Sequence, residues 1–152
     1  MTGRYLLSDH DGPYAVEDFR SADESDGWCY RATRRDPETE VFLGELELVV
    51  ATDGRVLRLE QSGGGWLVRG GVVGGDALWR RGDQEHAVPA HGFTGSSPAY
   101  AVVCSRLAAA RGEGSLRLIA VHDGVLATAT VDQVWTQEGD TWTCVDRSTG
   151  EA

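Results

Sequence analysis

The chain has 152 residues, 41% hydrophobic and 25% charged, a balance that suits one globular domain with its own core and excludes a disordered chain. Its formal charge is −10 at pH 7, and a field of that sign repels phosphate backbones and anionic membrane surfaces, so nucleic acid is not an expected partner. The N-terminus lacks a signal-peptide pattern and no apolar run reaches membrane-spanning length, so neither export nor membrane insertion is expected.

Residues 1–27 are mixed in character: Tyr5, Leu6 and Leu7 read as a short edge strand, and Ser21 to Gly27 as an acidic turn. From Trp28 the pattern sharpens, because Trp28, Tyr30 and Ala32 alternate with Cys29, Arg31 and Thr33, and Asp36 to Thr39 supply a turn. The return strand, about Val41 to Ala51, sets Leu46, Leu48 and Val50 inward against Glu45, Glu47 and Val49 outward. Asp53-Gly54 is a two-residue hairpin signal, after which Val56 to Glu60 resume the alternation. Gly63 to Gly65 turn the chain into Trp66 to Arg69, and glycine pairs at 70–71 and 74–75 predict bulges or bends that curl the sheet. Ala77 to Arg80 follow, and the polar run Arg80 to His91, broken by Pro89, reads as a loop.

Helical signal is concentrated in Gly92–Gly112. Ser97 is placed to cap a helix, Pro98 sits where a missing N–H costs nothing, and Gly112 can end it in a left-handed turn. Tyr100, Val103, Leu107 and Ala110 recur at helical spacing, so one face must pack on something, and a sheet is the expected partner. Beyond it come Leu116 to Ala120, a hairpin turn at Asp123-Gly124, a long strand from Val125 to about Trp135, a turn at Glu138 to Asp140 and a last strand, Thr141 to Val145. Residues 147–152 read as a frayed tail. The sum is a mainly β chain of about eight strands, an antiparallel sheet curled as a roll or barrel around one helix at about 98–111. The absence of βαβ alternation excludes a parallel doubly wound sheet.

Chemistry is less legible. The cysteines, Cys29, Cys104 and Cys144, are odd in number and form no CxxC, so they read as reduced thiols of a cytoplasmic protein. Asp76, Asp83, Glu85, His86 and His91 gather acid–base groups. The spacing of the two histidines, interrupted by Pro89, matches no metal-ligand pattern, so no metal or other cofactor is implied. If the chain is an enzyme, His91, His86, Glu85 and Asp76 are its candidate catalytic residues. Five tryptophans fall on separate strands and serve either as core or as the wall of a cavity.

The segment Gly92-Phe93-Thr94, Ser97-Pro98-Ala99 and Arg106-Leu107, with the flanking Gly65-Trp66-Leu67 turn and the stretch Trp135 to Asp140, resembles a bacterial glycolipid-binding family with a spiral β-roll fold. The continuation Tyr100-Ala101-Val102-Val103 departs from that family's pattern, so the fold carries over better than the ligand contacts. The curled, Trp-rich sheet together with this resemblance leads to the expectation of a protein that binds a small apolar or amphiphilic, lipid-like molecule in the concavity of the roll, with Trp66, Trp79, Phe93, Tyr100 and Trp135 as the expected contacts. Two alternatives stay open, a metal-free natural-product cyclase or isomerase and a protein-interaction module with a filled interior.

Overall fold

The computed structural model describes residues 1–122 and 125–147; the expected turn at Asp123-Gly124 and residues 148–152 of the expected tail lie outside the described residues. Eight strands form one antiparallel meander in chain order: β1 (Thr2–Asp9), β2 (Gly12–Glu24), β3 (Gly27–Arg35), β4 (Phe42–Ala51), β5 (Val56–Gly63), β6 (Trp66–Val73), β7 (Asp76–Arg81) and β8 (Gln84–Pro89). A second sheet holds β9 (Gly92–Gly95), β10 (Ser115–His122), β11 (Val125–Glu138) and β12 (Thr141–Asp146), in the order β12-β11-β10-β9. The single helix, α1 (Ala99–Arg111), joins β9 to β10. The expected mainly antiparallel curled architecture is present, the large sheet forming a half-barrel.

Four expectations need correction. Residues 1–27 form most of a long hairpin, β1–β2, rather than one short strand, and Ser21 to Glu24 belong to β2. Arg80 to His91 is mostly hairpin, since a turn at Gly82-Asp83 joins β7 to β8 and Pro89 only ends the strand. The described residues therefore hold twelve strands, and the helix follows the ninth. Finally, β9 and β10 run parallel with α1 as their crossover, one βαβ unit that the short, unpatterned β9 conceals.

Alternation decides which face is inside. Trp28, Tyr30, Ala32, Leu46, Leu48, Val50, Leu59, Val72, Ala77 and Trp79 point to the concave side, where they meet Phe93 of β9, Ala99, Tyr100 and Val103 of α1, and Ile119 and Val121 of β10 in one continuous core. The β4–β5 register slips where Val49 faces Arg58 while Val50 faces Val56, leaving Leu57 as an extra residue directed outward. The rest of the helix's apolar surface, Cys104, Leu107 and Ala108, packs with Leu116 and Leu118 under Trp135 and Trp142. Ala110 is exposed, so the buried stripe turns through Cys104 and Ala108 instead. The Asp53-Gly54 turn lies against α1: Gly54 has φ 85°, and a Cβ there would stand 2.4 Å from the Leu107 amide nitrogen, so glycine is needed for the approach as well as for the turn.

Helix and sheet are also tied by a buried charge. The Glu17 side chain on β2 is fully buried; it accepts hydrogen bonds from the Tyr30 hydroxyl, from Arg34 Nε at 2.9 Å and from Ser97 Oγ at 2.7 Å. Ser97 Oγ in turn accepts the Ala99 N–H at 3.2 Å, while the cap position itself falls on Pro98, already helical at φ −57°. Arg34 Nη1 donates to Ser96 Oγ, and nearby the Tyr100 hydroxyl donates to Gln61 at 2.8 Å. Burial pushes both tyrosine hydroxyls upward in pKa, and the Glu17 carboxylate adds to the effect at Tyr30.

Removing one partner of a buried ion pair strands the other. Glu17→Gln is expected to lower the unfolding free energy by about 3–5 kcal/mol in denaturant titrations; a loss under about 1 kcal/mol, the scale of an exposed pair, would show that the pair does not hold the helix. Burial pushes the Cys104 thiol up to about 12, so iodoacetamide should modify the exposed Cys144 in the native protein and leave Cys104 intact until unfolding, as read by peptide mass spectrometry.

Candidate functional site

The convex face of the large sheet is organised along one row of charges. A cross-strand row of charges runs over seven strands, from Arg20 through Arg31, Glu47, Glu60, Arg69 and Arg80 to Glu85. Most members are paired: Arg31 lies 3.3 Å from Glu47, Arg69 3.3 Å from Glu60, Arg80 3.8 Å from Glu85, and Arg58 also reaches Glu47. Over β2–β5 the outward positions on one side of it, Asp18, Thr33, Glu45 and Ser62, are polar, and those on the other side are Ala22, Cys29, Val49 and Arg58. A hollow of about 450 Å³ lies over the polar side, lined by Asp18, Arg20, Arg31, Thr33, Glu45 and Glu60 among others.

Over β5–β8 the row next to the charges is apolar. Gly71 faces Leu78 and Leu78 faces Ala87 across the ladder, with the displaced Leu57 beside Gly71 and Val73 one step further along. Leu57, Val73 and Leu78 are exposed at 46%, 66% and 37%. Two glycines make this row a groove. A Cβ on Gly71 would stand 2.6 Å from the Leu57 carbonyl oxygen, and one on Gly70 would stand 3.1 Å from the Phe93 ring. Their absent side chains let β5 and the core approach from either side and leave a trough of about 560 Å³, walled by Arg69, Arg80 and Glu85 and backed by Trp79 and His86. Such a volume is in the range of small-molecule sites. Past the arginines lies a second depression of about 800 Å³, lined by Trp66, Leu67, Arg81 and Gln84, with Arg69 and Arg80 common to both.

The residues expected as ligand contacts are spread over three environments. Phe93 and Tyr100 are fully buried in the main core. Trp79 is buried among them, its indole Nε1–H without a partner among the described residues, and its backbone side forms the groove floor. Trp66 borders the second depression, and Trp135 covers the second core cluster, its Nε1–H donating to Gln133 at 3.1 Å. The concavity where they were expected to converge is filled by α1, β9 and β10.

The acid–base candidates separate in the same way. Glu85 and His86 border the groove, His86 stacked on Trp79 with ring centroids 5.1 Å apart. Asp76 is exposed at the start of β7. His91 lies in a different hollow, with Arg111, Glu113, Arg117 and Asp132. Its Nδ1 accepts the Arg117 N–H at 2.9 Å while its own backbone N–H donates to Arg117 oxygen at 2.7 Å, which makes it a pin between β9 and β10. The outward residues Leu57, Leu78 and Ala87, with Arg69, carry no distinguishing local sequence pattern. Their only local trace is the glycine pair between Arg69 and Val72.

Burial holds the His91 imidazole below its usual range; Arg111 and Arg117 add to this and Glu113 opposes it. The unfolded chain therefore takes up this proton more readily than the folded one, so the stabilisation is complete above about 6.5 and is lost as pH falls through the lower folded value. Thermal melts from neutral to mildly acidic pH should show stability falling with acidification, and His91→Asn, which keeps an acceptor for the Arg117 amide, should flatten that slope; an unchanged slope would remove His91 as its source. Compared with known proteins, the chain matches no family model, no curated protein and no solved structure, so the groove has to be interpreted from its own geometry.

Proposed function

We propose that this protein binds a small apolar or amphiphilic molecule, and that the groove over β5–β8 is where it binds. The observation that carries the reading is the outward row Leu57, Gly71, Leu78 and Ala87, an apolar strip with a glycine in its floor lying beside a row of charges. Exposed apolar rows cost solubility and favour association, so a strip of this kind is expected where a ligand covers it. The charged row beside it supplies hydrogen-bonding groups along one edge only, which suits a molecule with a polar end and an apolar body. A lipid-like or glycolipid-like ligand, the class implied by the resemblance around Gly92–Leu107, fits that description. It would lie on the convex side of the roll.

Octyl glucoside below its micelle concentration is a suitable probe. In amide-resolved NMR it should shift Leu57, Gly70, Gly71, Leu78 and Ala87 and leave α1 unchanged. Leu78→Asp, at a position already open to water, should weaken binding by at least about tenfold, equivalent to about 1.4 kcal/mol. Shifts elsewhere, or undiminished binding to the variant, would overturn the reading.

A further inference from the structure

Within that groove, and resting on its reading as an amphiphile site, we infer that the ligand's polar end is an anion, a carboxylate, sulfate or phosphate group held between Arg69 and Arg80. The two guanidinium-bearing residues are direct partners across β6 and β7 and point out on the same face. Like charges directly opposite one another in a ladder are unfavourable, and an anion seated between them removes the conflict. Both side chains are more than half exposed, at 65% and 59%, so neither is locked away. Each has spent little of its donor capacity. Arg69 meets Glu60 through Nε at 3.3 Å, and Arg80 donates Nε to the Gly82 carbonyl at 2.9 Å and approaches Glu85 through Nη1 at 3.8 Å. A guanidinium carries five N–H donors, so terminal donors remain on both for a planar or tetrahedral oxyanion.

Position argues the same way. Arg69 and Arg80 are the residues shared by the apolar trough and the second depression, so a head group between them has the strip Leu57, Gly71, Leu78 and Ala87 on one side for its tail. The other charged and titratable groups bordering the two depressions or paired with these arginines are Glu60, Glu85, Asp83, Arg81 and His86; Glu60 and Glu85 are engaged by Arg69 and Arg80, and His86 is stacked on Trp79. The chain as a whole carries −10, so its average field disfavours anions. Preference for an anionic amphiphile is therefore a local property that general electrostatics would reverse.

That contrast makes the test decisive. Dodecanoate, dodecyl maltoside and dodecyltrimethylammonium share one tail and differ in charge; their affinities can be measured by calorimetry below micelle formation, with amide shifts locating each. Dodecanoate should bind about tenfold more tightly than the maltoside, and the cation more weakly than either. Arg69→Gln with Arg80→Gln should abolish the anion's advantage over the maltoside, whereas Arg20→Gln with Arg31→Gln, on the same charge row away from the groove, should leave the advantage in place. Equal binding of the three probes at the groove, or an advantage that survives loss of both arginines, would overturn the anion assignment while the groove reading stands. Failure of every probe to shift the groove amides would overturn both. Inorganic phosphate alone should produce no comparable shift; if it matches dodecanoate, the arginines form a free-anion site and the amphiphile is the wrong ligand.

Discussion

One carboxylate organises the interior. Glu17 sits on the second strand of a curled sheet, at a depth where an ionised group is costly unless each oxygen is satisfied. Its partners come from two different parts of the chain, Tyr30 and Arg34 on the adjacent strand and Ser97 at the entrance to α1. The sheet therefore has one position against the helix in which this charge is compensated. Hydrophobic contacts alone tolerate sliding. A buried ion pair with directed hydrogen bonds does not, and here it sets where α1 enters the half-barrel.

Once α1 is seated, the concave face has no room for a ligand. Tyr100 and Val103 reach the sheet, Phe93 and Ile119 fill the space beside them, and Cys104 and Leu107 close the second cluster. The same seating explains the groove. Phe93 presses against β6 from inside, and the Leu57 carbonyl approaches it from the neighbouring strand, so positions 70 and 71 accept only glycine without displacement. Gly70 permits the close packing beneath the sheet, and the missing side chain of its neighbour Gly71 leaves the hollow above it.

Where pattern and structure agree, the reason is local. Helix stops at Pro98 and Gly112, the alternation of Leu46, Leu48 and Val50, and the Asp53-Gly54 turn all depend on a few neighbouring residues. The strands without a clear local signature are β2, β8 and the four-residue β9, with β1 marked only over Tyr5 to Leu7. β1 buries only Leu7, and β8 is an edge strand whose outward residues pair with β7 and whose end carries Pro89. Edge strands lose the two-faced alternation that marks a strand, because solvent reaches both faces and polar residues guard the unpaired side. For the candidate site, Glu85 and His86 were legible as polar groups near a cavity. The apolar strip was not, since Leu57, Gly71, Leu78 and Ala87 become neighbours only through the register of four strands.

The sequence by itself determined a mainly β chain with one helix, the identity of most buried faces and the positions of several tight turns. These follow from periodicity and backbone preference over fewer than about twenty residues. The tertiary structure alone decided three things: that β9 and β10 run parallel through α1, that Glu17 and Arg34 are paired at Ser97, and that the open apolar surface lies on the convex face. Each of these joins residues far apart in the chain, Glu17 to Ser97 and Leu57 to Ala87 among them. Contacts of that range are set by strand register and by how the sheet curls, which no single stretch of sequence encodes.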